Sequence, residues 1–197
     1  MAARWHSRAL ALALLLLALD VRAEGPPDER PWYVPDHAAL QLAGSIGLLS
    51  AGPGWGFLDD ALDAQLLLGW APPAVAGEDF LTVTLKGQWH PFRLRWSGWS
   101  VRPLTVGLLL SYTFGDEYFV TLPDRYPDGY YWFKTGLRPA LLLGGSVGRP
   151  VPALGLRNLE GYVELVATDY RLVHFLRNPV TVETGLFSLA LGARLRF

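Results

Sequence analysis

The chain of 197 residues carries 17 Lys plus Arg against 18 Asp plus Glu, a formal charge of -1 that leaves no basic footprint for a nucleic-acid partner. Half of it is hydrophobic (51%) and only 18% is charged, a mix too apolar for a disordered chain. The absence of cysteine excludes a disulfide framework, a thiolate metal site, a catalytic thiol and a lipidated N-terminal cysteine.

Arg4, His6 and Arg8 precede an unbroken Ala/Leu run from Ala9 to Leu19, and Val21-Arg22-Ala23 supplies small residues at cleavage positions. That pattern predicts a secretory signal peptide over residues 1–23, since a spanning helix needs about 20 apolar residues. Cleavage after Ala23 removes Arg4, Arg8, Arg22 and Asp20 and takes the formal charge to -3. Residues 24–37 form a Pro-rich segment with Pro26, Pro27, Pro31 and Pro35, and residues 38–197 follow as a single domain.

From residue 38 onward the hydrophobic period is two. Leu40, Leu42, Ile46 and Leu48 alternate with Gln41, Ala43, Ser45 and Gly47. The same alternation runs through Leu62 to Trp70, Leu81 to Trp89, Leu104 to Thr113, Val163 to Thr168 and Phe187 to Phe197. Turn signals punctuate the series at Gly52-Pro53-Gly54, Asp59-Asp60, Pro72-Pro73, Ser97-Gly98, Pro127-Asp128-Gly129, Gly148-Arg149-Pro150 and Asn178-Pro179. Seven strands are predicted, at 38–57, 62–71, 80–89, 101–114, 131–145, 158–168 and 186–197. Pro103 and Pro139 each delete a ladder hydrogen bond, so a bulge or strand boundary is expected at both. An up-and-down barrel needs an even number. Either the first segment breaks at Gly52-Pro53-Gly54 or Tyr170–Leu176 adds a short strand, and the second is preferred. The fold class expected is all-β: an antiparallel up-and-down transmembrane β-barrel of eight strands.

Side-chain size sets the orientation. The polar faces hold Gly47, Gly107, Gly192, Ala190, Ser45, Ser111, Thr82 and Thr84, which suit the narrow interior of an eight-stranded barrel. Asp63, Lys86, Arg138, Glu164 and Arg194 share that face and are expected to form a charge network in the lumen. Trp55, Phe57, Trp70, Trp89, Trp96, Trp99, Tyr112, Phe114, Phe187 and Phe197 cluster near strand ends, as in an aromatic girdle. With its leader, its lack of cysteine and a last strand Leu186–Phe197 ending on phenylalanine, the chain resembles the small outer-membrane β-barrels of Gram-negative bacteria. The resemblance implies residence in the outer membrane as a monomer, contact with its lipids, and handling by the barrel-assembly machinery, which reads a terminal aromatic strand.

Chemistry-bearing residues are few. A Ser-His-carboxylate hydrolase acting on membrane lipid would be assembled from His174 with Ser188 or Ser111 and Glu164 or Glu183. Small outer-membrane lipid A deacylases are similar in size, but their His-x-Ser pairing is absent: His174 precedes Phe175-Leu176 and His90 precedes Pro91-Phe92. His37 with Asp36, or Asp59 with Asp60 and Asp63, offers metal ligands but lacks the loop glycine and spaced carboxylates of a calcium site, and Asp59-Asp60 reads as turn chemistry, so neither a metal nor a cofactor is expected. The connection Leu122–Phe133 combines prolines, an Asp-Gly turn and aromatics, and Asp124, Arg125, Tyr126, Tyr130, Tyr131 and Trp132 are its candidate ligand-binding residues. The expected function is structural, adhesive or ligand-binding without catalysis, with a lipid hydrolase or a narrow pore as the alternatives.

Overall fold

The computed structural model describes residues 31–115, 118, 136–177 and 186–197. The predicted leader, the first half of the Pro-rich segment (residues 24–30), Glu183 and the candidate loop residues Asp124, Arg125, Tyr126, Tyr130, Tyr131 and Trp132 lie outside the described residues. The architecture is all-β and antiparallel. Strands β1 (His37–Ala43), β2 (Leu49–Phe57), β3 (Leu62–Ala71), β4 (Phe80–Trp89), β5 (Leu94–Trp96), β6 (Trp99–Phe114), β7 (Leu137–Val151), β8 (Leu156–Thr168) and β9 (Ser188–Arg196) follow one another in the chain. Each neighbour in sequence pairs in space, except that β4 pairs with β6 and β1 with β9. These two ladders close an eight-stranded barrel, and β5 is a short hairpin arm that extends β6 beyond it.

Three expectations are corrected. The first predicted segment does divide, but at residues 44–48 rather than at Gly52-Pro53-Gly54, which runs through the middle of β2. Ala43, Gly44 and Ser45 adopt positive φ of 59°, 81° and 66°, reversing the chain with no proline to mark the place. Tyr170–Leu176 is not a strand: it belongs to a helix, Asp169–Arg177, with Asp169 in its first turn and His174 and Arg177 in its last, a charge order that suits the helix dipole. The strand predicted at 131–145 is observed at Leu137–Val151, so Gly148-Arg149-Pro150 is strand.

The prolines act where a missing N–H does least harm. The β6–β7 register slips by one residue between Arg102 and Thr105, a bulge at Pro103-Leu104 that turns Arg102 and Thr105 both inward. Pro139 lies just beyond the β7–β8 ladder, which begins at Ala140.

One rim carries the turn 44–48, the loop 72–79 and the connections leading from β6 and β8. The opposite rim carries both strand ends, His37 and Arg196, with the turns 58–61, 90–98 and 152–155. The wall is inside-out relative to a water-soluble barrel. Leu66, Leu85, Leu108, Leu110, Leu141, Leu143, Val163, Leu165, Leu189 and Leu191 point outward and are exposed, Leu108 to 64%. Lys86, Glu164 and Arg194 point inward and are buried. Aromatics edge the leucine band at both rims: Trp70, Tyr112, Phe114 and Phe187 on the loop side, Phe57, Trp89, Trp96 and Trp99 on the other.

Steric space inside is unevenly divided. Gly52, Gly54 and Gly56 line β2, while bulk arrives from β8 and β9. At Gly192 an added Cβ would fall 2.2 Å from Tyr162 Cζ, so the phenol ring occupies the missing side chain's place. Gly192→Ala is therefore expected to destabilise the barrel by about 1–3 kcal/mol, through overpacking. Gly87→Ala, where nothing lies within 4 Å, leaves stability unchanged or raises it. Urea unfolding followed by tryptophan fluorescence distinguishes the pair.

Candidate functional site in the barrel interior

The lumen is layered. Towards the loop rim, Ile46, Leu67, Leu109, Ala140, Leu142, Val166 and Ala190 form an apolar stopper. Ile46 belongs to the turn that the alternation assigns to the outer face; instead it folds inward, and its carbonyl accepts hydrogen bonds from the hydroxyls of Ser50 and Thr82.

Below the stopper the interior is mainly ionic and amide. Lys86 Nζ donates to Glu164 Oε2 at 2.5 Å and to Gln41 Oε1 at 2.8 Å. Gln88 Nε2 donates to the other Glu164 oxygen at 2.7 Å, and Gln88 Oε1 accepts from Gln65 at 3.0 Å and Arg194 Nη2 at 2.8 Å. Arg194 Nη1 donates to Glu160 Oε1 at 2.6 Å, and Arg102 Nη1 lies 3.3 Å from both Glu160 oxygens. Lowest in the barrel, Asp63 Oδ2 accepts from Arg196 Nη2 at 2.6 Å and lies 2.9 Å from His90 Nε2. Tyr162 stands in the middle, with Lys86 Nζ 4.9 Å and the Arg194 guanidinium 4.6 Å from its ring centroid. Among the described residues, four buried cations (Lys86, Arg102, Arg194, Arg196) thus face three buried carboxylates (Asp63, Glu160, Glu164).

Of the five residues expected to form this network, Asp63, Lys86, Glu164 and Arg194 lie together in it. Arg138 does not join them: it sits at the loop rim, half-buried, and its Nε donates to Asp169 Oδ1 at 2.9 Å. It has inward parity, but at the start of β7 it lies beyond the β8 ladder, next to the helix that follows β8. Sequence reasoning missed Arg102, Glu160 and Arg196. Arg196 and Glu160 continue the alternation of Arg194 and Glu164 by two and four residues, a signal that was present; Arg102 is turned inward by the bulge.

The alternative hydrolase residues are dispersed. Glu164 is taken by Lys86 and Gln88, the Ser188 hydroxyl bonds to Ser45 at 2.7 Å and to Arg171 at 3.0 Å, and exposed His174 stacks on Tyr170. Ser111 pairs inside the lumen with Thr84 at 2.9 Å. A different trio does have the hydrogen-bond order of nucleophile, base and acid. His90 lies 2.9 Å from both the Thr105 hydroxyl and Asp63. Thr105 is 1% exposed and Asp63 is shared with Arg196 and Arg102, so this chain of bonds ties β3, β4 and β6 together and gives a substrate no approach.

At the mouth near the strand ends, Asp36 Oδ1 lies 2.5 Å from His37 Nδ1 and its Oδ2 accepts the Gly56 N–H at 2.5 Å. Burial pushes the Asp36 carboxyl up, but His37, the Gly56 amide and the Arg196 guanidinium together hold it below its ordinary value of 3.8. Because the folded value lies below the unfolded one, Asp36 stabilises the barrel fully above the ordinary value and loses that contribution as pH falls through the folded value. Asp36→Asn is expected to lower stability at pH 7 and to flatten the acid limb below about pH 4, read by urea midpoints across that range.

Comparison with family models, with curated proteins and with solved structures finds no match for this chain.

Proposed function

We propose that this chain is an exported outer-membrane β-barrel whose interior is filled, and that it serves a structural or ligand-binding role without catalysis. The observation that carries this reading is the leucine band, edged at both rims by aromatics and wrapped around an ionic interior. In water such a surface would drive association, whereas in a bilayer it replaces burial. Strand length agrees. The ten residues of β4, at about 3.4 Å each and tilted by about 40°, rise about 26 Å, close to the apolar band of a membrane barrel. Trp70 Nε1 donates to Asp79 at 2.5 Å and Trp55 Nε1 to the Tyr33 carbonyl at 3.0 Å, so these indoles present ring to hydrocarbon and N–H to polar partners. The rim with the strand ends would face the periplasm and the loop rim the exterior.

A lumen crossed by Lys86, Tyr162 and Arg194 and stoppered by Ile46 and Leu142 leaves bulk solute no path, which argues against the pore reading. The test is fractionation of cells expressing the full chain. Recovery in the outer membrane, with unboiled protein migrating faster than boiled, is the expected result. Recovery in a soluble fraction would overturn the placement.

A further inference from the structure

Beyond the barrel's own rim, the β5–β6 hairpin raises the wall on one side, with Phe92 and Leu94 outward and Arg93 and Arg95 on the opposite face. Between this hairpin, the β2–β3 turn and the start of β8 lies a cavity of about 710 Å³. Arg93, Arg95, Arg157 and Arg196 line it against two acids, Asp59 and Asp60. Asp60 is heavily shared: its oxygens lie 3.1 Å from Arg196, 3.2 Å from Arg157, 3.4 Å from Arg93 and 3.9 Å from Arg102. Beneath it, Asp63 is committed to Arg196, Arg102 and His90. Arg95 makes no hydrogen bond or ion pair among the described residues, and Arg157 makes one. The vestibule therefore holds more guanidinium donors than carboxylate acceptors.

We propose that this vestibule binds a phosphate group. With Arg196 held by Asp63 at the floor, Arg93, Arg95 and Arg157 outnumber Asp59 and Asp60 by one charge, and a phosphate anion supplies the missing charge and acceptors. The guanidiniums come from separate walls, the β5 arm, the start of β8 and the end of β9; a tetrahedral anion with several acceptor oxygens engages such a set, whereas a planar carboxylate meets one fork. The phosphate arrives either free or as a lipid headgroup. The two sources share this chemistry, and the experiment separates them.

The full-length barrel, folded in a maltoside detergent, is titrated with inorganic phosphate by calorimetry; in parallel it is mixed with phosphatidylcholine vesicles with and without phosphatidic acid. Saturable binding is expected in at least one arm, weakened at least about tenfold by Arg95→Ala, equivalent to losing one charge-assisted hydrogen bond. Arg95 has no hydrogen-bond or ion-pair partner among the described residues, so this variant keeps its heat-dependent mobility; Arg157→Ala is the second test. Saturation with inorganic phosphate assigns a soluble source, and saturation confined to phosphatidic acid vesicles assigns a headgroup. No saturation in either arm, or unchanged affinity in both variants, overturns the proposal. The outcome is separable from membrane placement, because a chain recovered in a soluble fraction that still binds inorganic phosphate would remove the placement and keep the site.

Discussion

Replacing Lys86 by methionine is expected to cost about 3–5 kcal/mol of unfolding free energy, more than the loss of one ion pair at a surface. Lys86 and Glu164 are 0% and 1% exposed, so the variant leaves a buried carboxylate with the Gln88 amide and the more distant Arg194 guanidinium, at 3.6 Å, as its partners. The size of the effect comes from that poorly compensated charge. It follows that Glu164→Gln in the Lys86→Met background restores much of the loss, because the uncompensated charge disappears with it. Urea unfolding of the single and double variants in vesicles, read by tryptophan fluorescence, measures the cycle; a double variant no better than the single would show that Glu164 is not held by Lys86 in this way.

Leu108→Arg is expected to destabilise the protein by about 2–4 kcal/mol in a bilayer, while Leu154→Arg changes little. The two leucines have similar exposure, 64% and 60%. Leu108 lies midway along β6 in the leucine band, and Leu154 lies in the turn joining β7 to β8 at the rim. A water-soluble barrel would treat both as exposed surface, with effects within about 0.5 kcal/mol. Reconstitution in phosphatidylcholine vesicles and comparison of unfolding midpoints decides between these outcomes, and equal midpoints would count against the bilayer reading.

Period-two alternation made most of the barrel legible. β3 and β4 were read to the residue, and the inside-out orientation followed from placing glycine, serine and threonine on the same face as the charges. Where alternation failed, it failed for a geometric reason. Leu42, Ile46 and Leu48 keep even spacing across a reversal of the chain, so the hydrophobic pattern runs through a turn that only backbone angles disclose. In the segment Tyr170–Leu176, Leu172 and Leu176 are also one helical turn apart, so alternation and helix compete; Asp169 and Arg177 at its ends were the cue for a helix. The interior network was half legible. Parity shows which residues face inward, but their partners depend on stagger around a closed wall, and the one-residue slip at Pro103-Leu104 reverses parity for Arg102. The vestibule was not legible at all: Arg93 and Arg95 gain their setting from the turn at Asp59-Asp60 and from Arg157, each on a different hairpin.

The interior bonds span long stretches of chain, 78 residues between Lys86 and Glu164 and 133 between Asp63 and Arg196. No single hairpin contains both members of either pair, so an isolated hairpin gains nothing from them and keeps those ions hydrated. Their full reward comes only when the wall curves shut, β9 meets β1 and water is expelled. The last seam to zip is thus also the step that switches on the crossbeams, and a chain stalled one strand short forfeits its cylinder and its bracing together.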